Sequence, residues 1–92
     1  MHSENQLIKR MWQSKTCINI GKSGLSEGIV NELKRRLKEE QIIKVRILKN
    51  CPLLAELDKK SVANHVAKTV NAELVGIRGY TFILRSKEFK RD

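Results

Sequence analysis

Residues 16–20, TCINI, and residues 42–48, IIKVRIL, are short runs rich in β-branched side chains, and a single helical pattern lies between them. This order is the strongest constraint on the fold. A strand, a helix and a second strand in succession imply parallel pairing through a crossover, with the helix packed on the sheet. Within the crossover, Ser26 is placed to cap a helix running to about Glu40, and Ile29, Val30, Leu33 and Leu37 fall within an arc of about 100°. The opposite flank carries Asn31, Lys34, Arg35 and Lys38, and Glu32 is spaced to pair with Arg36 one turn later. In 42–48, alternation sets Ile43, Val45 and Ile47 on a core face and Lys44 and Arg46 on a basic one.

The flanking segments extend this unit. Leu7, Ile8, Met11 and Trp12 mark a short amphipathic helix over 4–13, with Trp12 expected to pack it onto the domain. Asn50, Cys51 and Pro52 end the second strand, and LLAEL at 53–57 suits an extra helical turn. Asp58 then caps a third helix, in which Val62, Ala63, Val66, Ala67 and Val70 form the buried stripe, and Asn71 ends it in the left-handed conformation. ELVGI at 73–77 and YTFILR at 80–85 form a hairpin about Arg78 and Gly79, with Tyr80 and Phe82 as alternate core residues. The expected fold is α/β in an α+β two-layer form, ordered α-β-α-β-α-β-β, with a four-stranded mixed sheet and helices packed on it. It forms one domain over 1–92: an N-terminal helix at 4–13, a core at 16–86, and a polar tail at 87–92 in which Phe89 alone can dock.

A domain of 92 residues is too small to enclose a deep pocket comfortably. Its 19 Lys and Arg against 10 Asp and Glu leave a formal charge of +9, a field that attracts polyanions. No apolar run approaches the ~18 residues of a membrane span and the N-terminus has no signal-peptide core, so a soluble, cytoplasmic monomer without membrane contact is expected. Cys17 and Cys51 form no C-x-x-C, and His2 and His65 have no ligand spacing to either. No metal or other cofactor is expected. Cys17 reads as a small core residue and His65 as a solvated or locally bonded one. With no paired carboxylates, Cys/His pair or Ser-His-Asp set, the chain does not read as an enzyme.

The first strand ends in Gly21-Lys22-Ser23-Gly24 before the crossover helix. These residues supply half of a nucleotide-binding G-x-x-x-x-G-K-[ST] motif, but Thr16 occupies the position of its first glycine. A different use fits the placement. Two glycines at a helix N-terminus let a sugar-phosphate chain approach free N–H groups, Lys22 adds a charge and Ser23 a hydroxyl, as in G-x-x-G loops that clamp nucleotide backbones. A plain strand-to-helix turn would use the same two glycines.

The blocks IGKSGLSEGIVNEL, IIKVRI and VANHVAKTVNAELVGIRGYTFILR resemble the CRM domain (chloroplast RNA splicing and ribosome maturation), including its stand-alone YhbY-like members. The resemblance spans about Cys17 to Ser86. It implies an RNA-binding fold similar to the C-terminal domain of the third bacterial translation initiation factor. It also implies a role with ribosomal RNA or a large-subunit precursor. By position it assigns the G-x-x-G loop to Gly21, Lys22, Ser23 and Gly24, and adds Lys44 and Arg85. Asn31, Lys34, Arg35, Lys38, Arg46 and Arg78 complete the candidate basic surface, while Lys59 and Lys60 read as part of the general positive field. The first helix departs from the family in lacking its basic opening, 51–57 is longer than usual, and Asn71 replaces a common glycine. A protein-partner adaptor, or a general basic nucleic-acid-binding module, is the alternative.

Overall fold

The crossover unit forms as its sequence demands. A computed structural model describes residues 4–89, in which β1 (Ile18–Ile20) runs parallel to β2 (Ile42–Ile47), joined by helix α2 (Glu27–Glu40). We label the remaining elements α1 (Glu4–Gln13), a 3-10 turn (Pro52–Ala55), α3 (Lys59–Thr69), β3 (Ala72–Arg78) and β4 (Thr81–Ser86). The sheet order is β1-β2-β4-β3, with β4 antiparallel to both neighbours. The two longer helices start as expected. Ser26 Oγ accepts the Ile29 N–H at 3.3 Å, and the Asp58 carboxylate accepts the Ser61 N–H at 2.7 Å. Gln41, with φ 67°, closes α2, and Asn71, with φ 56°, turns the chain after α3.

Register sorts the side chains onto two faces. Ile43 opposes Leu84 and Val45 opposes Phe82, and these residues meet Leu33, Leu37, Val62, Ala63 and Val66 in the main core. Ile42, Lys44 and Arg46 oppose Arg85, Ile83 and Thr81 on the other face. That face is not open. Helix α1 lies across it, so that Ile42 and Ile83 are buried apart from the main core, with Leu7 and Met11 beside Ile42. Trp12 fastens this helix: its ring edge lies against Gly76, where an added Cβ would come within 3.1 Å of Cζ2, and Arg78 sits 4.6 Å over the ring.

Several local expectations shift. Arg78 pairs with Thr81, so the hairpin turn falls on Gly79 (φ 58°) and Tyr80 rather than on Arg78 and Gly79. Phe82 is fully buried, but Tyr80 leaves the ladder and is 43% exposed. Cys17 lies ahead of β1 at intermediate burial, its thiol facing Asn19 Oδ1 at 3.5 Å, while Cys51 is the buried cysteine. Glu32 pairs with Arg35 and not Arg36, which instead reaches forward to Glu40. The apolar 51–57 connection has a packing role, since Leu53 and Leu54 lie against the core. Phe89 is half-buried, its N–H donated to the Ser86 carbonyl at 3.1 Å, and the final three residues of the tail lie outside the described range. No helix among the described residues is long and apolar enough to cross a membrane.

Candidate functional site

The two loop glycines are explained by local geometry. The Gly24 N–H donates to the Gly21 carbonyl at 2.9 Å, closing a four-residue turn, and Gly24 sits at φ 61°, a left-handed conformation that side chains rarely adopt. Gly21 is needed for space, because a Cβ there would lie 3.2 Å from Leu48 Cδ1. The turn thus seats both glycines against residues 48–52 and leaves Lys22 and Ser23 at its exposed tip. Nothing in the turn requires a lysine or a serine at those positions.

The topology gathers more positive groups at this end of the sheet. Because β1 and β2 are parallel, each ends here, and the helix after each begins here with its N-terminal N–H groups and positive dipole end. Backbone hydrogen bonds tie the corner together: Leu48 N–H donates to Ile20 O at 2.9 Å, and Ile47 N–H donates to Tyr80 O at 2.7 Å. The G-K-S-G turn and the hairpin turn therefore flank the end of β2, about 10 Å apart by two interstrand spacings. The head of α3 joins them, with Lys59 Nζ 5.2 Å from the Tyr80 ring centroid. Lys22, Ser23, Arg46, Lys49, Asn50, Lys59, Lys60 and Arg78 are all exposed around this corner. Of the carboxylates nearby, Asp58 is committed to its cap, and the Ser61 N–H bond holds its pKa below the ordinary value.

The other sequence-predicted residues lie elsewhere. Lys44 is half-buried beneath α1, its ammonium donating to the Ser14 carbonyl. Arg85 is paired with Glu4 of α1 at 2.7 Å, each side chain only 18% exposed. Arg35 is held between Glu32 and Glu39, whose hydrogen bonds raise its pKa further and balance its charge. Asn31, Lys34 and Lys38 are exposed along α2, but Lys34 and Lys38 border a groove with Asn71, Ser86 and Lys87 at the opposite end of the sheet. Gly21 to Gly24 form the corner, and Arg46 and Arg78 lie at the same end of the sheet on the face that α1 crosses. Sequence reasoning missed Lys49, Asn50 and Tyr80 and set Lys59 and Lys60 apart, because only the parallel pairing of β1 and β2 and the hairpin register place them here. Among the described residues, no group of three or more His, Cys, Asp or Glu side chains is positioned to hold a metal ion.

The mixed sheet and its three helices make this an α+β protein, and the chain belongs to the CRS1 / YhbY (CRM) domain family, whose sequence pattern matches residues 2–85. The match takes in α1 as well as the core. Among individual proteins, the chain is 32% identical over 90 residues to the probable RNA-binding protein YqeI of Bacillus subtilis, covering 90% of each. It is 38% identical over 82 residues to the probable RNA-binding protein MJ0652 of Methanocaldococcus jannaschii, covering 84% of this chain and only 59% of that relative's length. The fold is similar to the solution structure of a hypothetical protein from Staphylococcus aureus, with TM-score 0.68 and 22% identity, covering 97% of this chain and 90% of that one.

Proposed function

We propose that this chain is a non-catalytic RNA-binding protein that grips a sugar-phosphate backbone at the corner formed by the G-K-S-G turn, the hairpin turn and the head of α3. One observation carries the reading: the glycine turn holds Lys22 and Ser23 out into solvent, where two helix N-termini and a set of exposed cations converge. Family membership and the two relatives named as probable RNA-binding proteins support the choice of RNA. The resemblance to YhbY-like proteins extends it to ribosomal RNA or a large-subunit precursor, bound by a monomer in the cytoplasm.

The test compares two variants that lower the net charge equally, each converting one lysine and one neutral residue to aspartate. Lys22→Asp with Ser23→Asp alters the turn, and Asn64→Asp with Lys68→Asp alters exposed positions of α3 beyond its first turn. Both should fold, as judged by circular dichroism melts. RNA titration at fixed salt should show the turn variant weakened about tenfold more than the control, the equivalent of one charge-assisted contact. Equal losses would mean that only the overall field attracts RNA. Retention of an acidic protein after nuclease treatment, with no RNA affinity, would favour the adaptor instead.

A further inference from the structure

Tyr80 is a large aromatic whose exposure the fold does not require. It lies in the hairpin connection outside the ladder, 43% exposed, while its backbone is fixed because its carbonyl accepts the Ile47 N–H. The neighbouring aromatic Phe82 fills the core, so the turn would close equally well with a small polar residue at position 80. A cation stands beside the ring. Lys59 lies 5.2 Å from its centroid, and the G-K-S-G turn stands about 10 Å away across the end of β2.

Resting on the RNA reading above, we propose that Tyr80 is a base-stacking platform and that this corner takes unpaired nucleotides in preference to duplex. An aromatic face beside a cationic track is how proteins hold single strands: a base stacks on the ring while the backbone follows the positive charge. Here the track runs from Lys59 past Lys49 to Lys22 and Ser23. The cation–π contact with Lys59 restrains the ring and places an ammonium near the phosphate of the stacked nucleotide. A duplex keeps its bases within its own stack and can use only the cations.

The experiment titrates wild type, Tyr80→Ala and Tyr80→Phe, with Lys22→Asp/Ser23→Asp alongside, against a single-stranded RNA dodecamer and the matching duplex at one salt concentration. Tyr80→Ala should weaken single-strand binding by about tenfold or more, leave duplex binding within about twofold, and be rescued by Tyr80→Phe. Wild-type affinity for the single strand in Tyr80→Ala, with the turn variant still weakened, overturns the platform and leaves the RNA reading standing. Equal weakening for both RNAs also overturns stacking. Failure of the wild type to bind either RNA removes the RNA reading itself, and this proposal with it. Photocrosslinking of wild type to a 5-iodouridine single strand gives the answer without a variant: the adduct is expected on Tyr80, and adducts confined to other residues overturn the proposal.

Discussion

The salt dependence of RNA binding can be worked from the corner's geometry. Lys22, Lys49, Lys59 and Lys60 are the exposed cations along the corner, while Arg46 and Arg78 lie on the sheet face that α1 crosses, with Arg78 over Trp12. If these four lysines contact phosphates, log K should fall against log salt with a slope of about −3, at about 0.7 per phosphate on a single strand. Raising salt from about 50 to about 200 mM should then weaken binding by about fifty-fold. The slope also locates the contacts. Lys49→Gln should flatten it by about 0.7, whereas Lys68→Gln, at the last turn of α3 and away from the corner, should leave it unchanged. Fluorescence anisotropy with a labelled single strand at four salt concentrations measures all three slopes. A wild-type slope flatter than about −1, or equal flattening by the two variants, would refute the reasoning.

Three further outcomes follow from the fold. Gly24→Ala should cost about 1–2 kcal/mol from its left-handed backbone alone, because the added Cβ would make only ordinary contact with Pro52 at 3.7 Å; Gly24→Asn should cost less, and thermal melts check both. Trp12→Ala removes the half-buried fastening of α1 and should destabilise by about 1–3 kcal/mol, with amide exchange accelerated in α1 before the rest of the chain. The Asp58 carboxylate has a lowered folded pKa, so its contribution is complete above the ordinary value of 3.8 and is lost as pH falls through the lower folded value. Asp58→Asn keeps a capping oxygen and should flatten that part of the acid limb in urea melts followed against pH.

Local signals in the chain specify nearly every element: Ser26 and Asp58 as caps, Asn71 as a left-handed exit, and the strand alternation of 42–47 are decided by neighbours a few residues away. What alternation could not reveal was the cover over the second sheet face. Lys44 reaches back to Ser14 and Arg85 to Glu4, contacts 30 and 81 residues apart in the chain, so Lys44, which reads as part of a basic face, and Arg85, which the resemblance assigns to the RNA surface, are both engaged by the N-terminal segment. Tyr80 departs from the expected pattern because the strand boundary, not the register of Phe82, lies elsewhere. With the turn at Gly79 and Tyr80, the paired strand begins only at Thr81, which keeps Phe82 inside and leaves Tyr80 at the exposed end. The G-K-S-G turn was legible as a motif, but its company was not, because Lys49, Lys59 and Tyr80 meet it only through sheet topology.

The location of the RNA is read most directly from amide chemical shifts of the labelled full chain, titrated with a single-stranded RNA in a two-dimensional 1H–15N experiment. The largest perturbations should fall on Gly21 to Gly24, Lys49 and Asn50, Lys59 and Lys60, and Gly79 and Tyr80, together at one end of the sheet. Perturbations centred instead on Lys34, Lys38 and Lys87 at the other end, or spread evenly over the basic surface, would contradict a site built on the glycine turn.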